Sequence, residues 1–159
     1  MTTAYPLPDA SKITHLLGLL FDGLDVKPGG VFDQSVAGGA WFGVFVKDGG
    51  EPVALCGADV NLAASFGAAL SMLPVALVKE SAKSRELSAV MCENLREIMN
   101  ICTRLVLDGT TPHLKLDQIY PTKSLPSAAS ALLAAPKGRR EFQVQVPKYG
   151  GGVLTILSI

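Results

Sequence analysis

Histidine, cysteine and the short signatures of common enzymes are all but missing from this chain of 159 residues. Its two histidines are His15 and His113. An isolated ring nitrogen needs local partners before it can hold a metal, so both are expected to be structural or surface residues. There are three cysteines, Cys56, Cys92 and Cys102. An odd number without CxxC spacing argues against a disulfide framework and against a zinc site. Cys92 and Cys102 would lie about 15 Å apart along one helix, too far to bridge. All three read as small buried apolar residues in a reducing cytoplasm. No GxxxxGK[ST] phosphate loop, no GxGxxG opening a helix and no GxSxG is present.

Other absences narrow the field further. Lys and Arg together number 14, as do Asp and Glu, so no charge excess points to nucleic acid or an anionic membrane. No apolar run approaches bilayer-spanning length. The first residues, MTTAYPLPDASKITHLLGLLF, lack a basic segment and a clean small-residue cleavage site, so a cytoplasmic location is expected. What remains is 48% hydrophobic and 18% charged, a globular composition of a size for one domain over 1–159.

Hydrophobic periodicity supplies the elements. Ile13, Leu16, Leu17, Leu20, Phe21 and Leu24 recur at helical spacing, predicting a helix over residues 11–24 capped by Asp9 or Ser11. WFGVFV (41–46) and VALC (53–56) flank a turn with Asp48-Gly49-Gly50, predicting a hairpin, with residues 34–36 as a possible earlier strand. Asp59 can cap a helix ending before Pro74, whose Ala64, Gly67, Ala68 and Ser71 form a small-residue flank open to close packing. A long helix is expected over 84–107. Strands follow at 113–120, 141–146 and 153–159, with a short helix over 127–134. The last strand, VLTILSI, could pair two copies edge to edge. Short turns between most strands predict an α+β domain, a mostly antiparallel sheet with long helices packed on one face.

The long helix carries the one pattern that its own stability does not explain. Leu87, Met91, Ile98, Cys102 and Leu105 fall on one line of a helical projection, with Val90, Leu95 and Ile101 beside it. Glu93, Glu97, Asn100 and Arg104 fall opposite, with Arg96 at the edge. Glu93 and Glu97 are a like-charge i,i+4 pair and Asn100 is a poor helix former. Asn94 projects onto the apolar side, where its amide needs a partner, expected in a loop backbone.

In its chain context the stretch ENLREIMN resembles the signature helix of the CheC/CheX/FliY family of chemotaxis response-regulator phosphatases. That signature is an Asp or Ser, three residues, Glu, two residues, Asn, and a Pro about twenty residues on. Glu97, Asn100 and Pro121 match it; Glu93 stands where the family has Asp or Ser. VKPGG, FGVFVKDGGEPVAL and NLAASFGAALSML fit the surrounding pattern. One Glu-x-x-Asn copy resembles the CheX type rather than the CheC type with two, and implies a homodimer.

The resemblance implies hydrolysis of the aspartyl phosphate on a CheY-like receiver. Asn100 would orient the water and Glu97 would bind the receiver's lysine. Glu93, Arg96 and Arg104 would complete the partner-binding face. No cofactor is expected in this chain, the Mg²⁺ belonging to the receiver. A non-catalytic module of the same fold, binding a receiver or self-assembling, is the alternative. A small-molecule cleft beside the small-residue helix is a third reading.

Overall fold

A computed structural model describes residues 5–159. Six strands form one antiparallel sheet in the order β1-β5-β6-β3-β2-β4. They are β1 (Asp25–Pro28), β2 (Trp41–Lys47), β3 (Pro52–Ala58), β4 (Leu114–Pro121), β5 (Gly138–Val146) and β6 (Gly150–Ser158). The helices are α1 (Ala10–Leu17), α2 (Val60–Ala69), α3 (Ala76–Ser84), α4 (Ala89–Cys102) and α5 (Ser127–Ala134). The α+β class and the antiparallel sheet are those the sequence predicts. Among the described residues no helix is long and apolar enough to cross a membrane.

Alternation along the strands divides the core in two. Phe45, Ala54, Cys56, Val144 and Ile156 turn toward α1, α2 and α4, burying Ile13, Leu17, Phe66, Leu95 and Ile98. Phe42, Val44, Leu55 and Leu157 turn the other way, under Leu132 and Leu133 of the short α5. The longest helix therefore lies on one face, and α5 covers part of the other.

Helix ends show why α2 and α4 sit together. Of the last four carbonyls of α2, those of Phe66, Ala68 and Ala69 accept from Leu70, Leu73 and Met72. The fourth, on Gly67, accepts from Asn94 Nδ2 at 2.7 Å, and the same amide donates to Ser71 Oγ at 2.7 Å. Asn94 thus completes the end of α2, satisfying a carbonyl the helix cannot satisfy itself. Its partner is helix backbone rather than the loop expected. The small-residue flank does serve close approach. A Cβ on Gly67 would stand 2.8 Å from the Met91 carbonyl oxygen, and one on Gly43 of β2 would stand 3.0 Å from Met99 Cβ.

Asp59 anchors the other end of α2. Its carboxylate accepts from Leu62 N and Val153 N, both at 2.9 Å. Burial raises its pKa from the ordinary 3.8, outweighing these two hydrogen bonds. A raised folded-state pKa makes Asp59 contribute most below its unfolded value, and that contribution is lost as pH rises through the folded value. Asp59→Asn keeps an oxygen for Leu62 but offers Val153 no second acceptor, costing about 1 kcal/mol at low pH. The wild-type advantage over this variant should shrink as pH rises above the ordinary carboxylate value and through the raised folded-state pKa, read from urea midpoints. A gap that widens with pH would contradict this account of Asp59.

Several boundaries differ from the sequence expectation. The helix expected over 11–24 stops at Leu17. Gly18 caps it, and turns carry Phe21 and Leu24 into the core, with the Phe21 ring stacked on Phe66 at 5.3 Å. Residues 34–36 form no strand. Asp33 Oδ1 accepts from Ser35 N and Oγ, and Ser35 Oγ accepts from Gly38 N, so local side-chain bonds win over a ladder. The first strand is instead β1, paired with β5. The helix expected over 84–107 is shorter, α4 spanning Ala89–Cys102, and α3, for which the sequence carried no expectation, precedes it. α3 ends with Arg85 in the left-handed region at φ 63°, Ser88 starts α4 by accepting from Met91 N, and Thr103–Val106 tighten into a 3-10 turn. β6 lies between β5 and β3, so the last strand offers no free edge; the sheet edges are β1 and β4.

Candidate functional site

α4 turns Leu95, Ile98, Met99 and Cys102 into the core and leaves a polar face outside. On that face Glu93, Arg96, Glu97 and Asn100 are all exposed, and Arg104 continues it from the 3-10 turn. Positions three and four apart on a helix are neighbours, about 5–6 Å between Cβ atoms, so the structure brings all five predicted residues onto one surface.

Edge strand β4 forms the opposite wall. Glu93, Arg96, Glu97, Asn100, Ile101 and Leu116 line an open groove of about 560 Å³ between α4 and β4. α4 and β4 run in opposite directions. Asn100 shares a groove with the start of β4, Arg96 Nε donates to Gln118 Oε1 at 3.0 Å, and Cys92 shares a groove with Pro121 at the end of β4. Arg96 therefore spends one donor bracing the helix against the strand. Pro121 pairs with Trp41 at the far end of β4, away from Asn100, and lines a separate groove with Cys92 and Arg85.

The polar face is open for intermolecular contact. Among the described residues, Glu93, Glu97 and Arg104 form no ion pair; the salt bridges are Lys27–Asp25, Lys47–Glu51 and Arg139–Glu141. Asn100 makes no side-chain hydrogen bond within the described residues. The sequence offers Arg96 three residues after Glu93, yet the guanidinium turns to Gln118 instead.

The scaffold beneath is apolar and braced. Lys12 Nζ donates to the Leu105 and Leu107 carbonyls at 3.1 and 2.9 Å, tying α1 to the end of the 3-10 turn. Cys56 and Cys102 adjoin beneath α4, and the Cys102 sulfur and then burial hold the Cys56 thiol well above its usual pKa. Cys92 is half-buried rather than buried, and burial raises its pKa also. Neither environment favours a reactive thiolate. His15 and His113 are both exposed. Among the described residues no three His, Cys, Asp or Glu side chains gather into a metal-ligating group.

Sequence reasoning missed the contribution of β4. The alternation in HLKLDQIY separates Lys115 and Asp117 from Leu114 and Leu116, but nothing local shows that Gln118 meets Arg96.

No protein-family model and no curated protein matches this sequence. Solved structures do resemble it. FliY of Thermotoga maritima aligns with a TM-score of 0.50 at 10% identity, over 94% of this chain and 81% of that one. A chain of the CheX-CheY-BeF3-Mg²⁺ complex from Borrelia burgdorferi aligns with a TM-score of 0.45 at 9% identity, over 94% of this chain and 97% of that one. At such identities the likeness is one of fold. The chain shares the fold of FliY.

Proposed function

We propose that this protein hydrolyses the aspartyl phosphate of a CheY-like receiver, using Asn100 and Glu97 of α4. The observation that carries the proposal is the placement of this pair. Both are exposed, one turn apart, beside an open groove on a helix whose other face is buried. The FliY-like fold supports the architecture, and the Glu-x-x-Asn resemblance supplies the roles.

The chemistry asks little of the protein. An aspartyl phosphate is an acyl phosphate, and its hydrolysis needs a water held in line with the breaking bond. Positioning and electrostatics dominate phosphoryl transfer. A carboxamide offers an acceptor oxygen and a donor NH₂ and does not titrate, so Asn100 can orient that water over a wide pH range. Glu97, three residues earlier, binds the receiver's lysine through a charge-assisted hydrogen bond and fixes the docked pose. The Mg²⁺ is the receiver's own. A homodimer built by strand pairing would use β1 or β4, the two edge strands among the described residues.

Glu93 favours a second reading. It lines the same groove at the position where the family carries Asp or Ser, and its longer side chain alters what the partner meets. In that reading the protein binds a receiver without hastening phosphate loss.

The test is the decay of a phosphorylated CheY-like receiver from the same genome. Wild-type protein should accelerate it, and Glu97→Ala should raise KM about tenfold, the loss of one charge-assisted hydrogen bond. Binding without acceleration would favour the second reading. A Glu97→Ala variant with unchanged KM would remove Glu97 from the docking contact.

A further inference from the structure

Arg96 lines the same groove as Glu93, Glu97 and Asn100. Glu93 lies three residues before it and Asn100 four residues after it, so both are its neighbours along the helix surface. A carboxylate and a carboxamide oxygen can each accept from a guanidinium. Neither does so here. Among the described residues the side-chain hydrogen bond of Arg96 goes to Gln118 Oε1 of β4, at 3.0 Å, and Arg96 forms no salt bridge. The guanidinium thus meets a neutral amide on the facing strand rather than a carboxylate on its own helix.

The local geometry of β4 presents that amide. The register between β2 and β4 shifts there: Leu116 pairs with Phe45 and Gln118 with Val44, which leaves Asp117 as an extra residue. A bulge of this kind re-aims the side chains beside it. Asp117, the nearest carboxylate in sequence, turns to Tyr120 instead, accepting from its hydroxyl at 2.8 Å. We infer that Gln118 is a positioning residue of the α4 face. It holds the Arg96 guanidinium off Glu93, Glu97 and Asn100, which leaves both carboxylates free for a cationic side chain of the partner and the amide free for water. Released from Gln118, Arg96 would pair with Glu93 at i,i+3 spacing and compete with the receiver's lysine for the acidic pair. Resting on the proposed function, this makes docking of the receiver's cation depend on β4 as well as on α4.

The probe is the same receiver loaded with BeF3⁻ and Mg²⁺, in which the fluoride complex stands for the phosphoryl group. It is titrated against the wild type, Gln118→Ala, Arg96→Ala and the double variant. Both side chains are exposed, so these substitutions leave the core untouched. Gln118→Ala should weaken binding about fivefold, the scale of one exposed ion pair. In the decay of the phosphorylated receiver it should raise KM by the same factor and leave kcat unchanged. Arg96→Ala breaks the same hydrogen bond but removes the competing cation, so it should bind about fivefold more tightly than Gln118→Ala. The double variant should match Arg96→Ala, a rescue of the first substitution by the second. A bond that only supported the fold would leave all three variants equally weak. Unchanged affinity of Gln118→Ala, or a double variant no tighter than Gln118→Ala, would overturn the inference and leave the proposed function standing. A wild type that neither binds the receiver nor hastens its dephosphorylation would overturn both.

Discussion

Replacing Asn100 by alanine should cut the rate constant for receiver dephosphorylation by roughly 10²–10³-fold, the scale on which one positioned polar group contributes in other active sites. The side chain is exposed and makes no side-chain hydrogen bond within the described residues, so its removal leaves no buried polar atom unsatisfied and no cavity. Alanine is also the better helix former, by up to about 0.7 kcal/mol. The variant should therefore be at least as stable as the wild type while losing activity. Since the water is held only on the way to the transition state, the loss should fall on kcat, with KM little changed. A KM effect of the same size would make Asn100 a docking residue.

The largest effect on stability is expected at Gly67. A Cβ there would lie 2.8 Å from the Met91 carbonyl oxygen, 2.9 Å from Met91 Cβ and 3.0 Å from Met91 Cα. Two of these three are backbone atoms of α4, which no side-chain rotation can clear. Alanine would gain about 1 kcal/mol of helix propensity over glycine, yet it would have to push the helices apart. Leucine adds three further heavy atoms at the same point. Gly67→Leu should cost about 3 kcal/mol, lowering the melting temperature by roughly 6–12 °C in a chain of this size. Separation of α2 from α4 would also stretch the Asn94 bonds to Gly67 and Ser71. Because α4 carries the polar face, activity should fall in the fraction that remains folded. Unchanged stability would mean that α2 and α4 tolerate a wider separation than their contacts imply.

Features governed by neighbours in sequence were legible before the structure. The β2–β3 turn follows from Gly49 and Gly50, which adopt φ 99° and 87°. Asp59 caps α2 and Asp9 caps α1, and α5 spans the residues predicted from composition alone. The polar face of α4 was legible for the same reason, since a helix projection needs only the residues of the helix.

What was hidden depends on contacts far apart in the chain. β1, with Asp25, Lys27 and Pro28, has little intrinsic strand character and exists through its pairing with β5. α3 and the start of α4 at Ala89 lie in a polar stretch where apolar periodicity marks neither a helix nor its boundary. β6 reads as a free apolar edge, but strand order is a tertiary property, and β3 covers it. The wall facing α4 likewise comes from β4, so the helix announced its polar residues without announcing what they face.

The most direct test is the loss of aspartyl phosphate from a CheY-like receiver of the same genome, followed with no addition, with the wild-type protein and with Asn100→Ala. The account predicts faster decay with the wild type and near-intrinsic decay with the variant. Decay at the intrinsic rate with the wild type, or equal acceleration by both proteins, would contradict it.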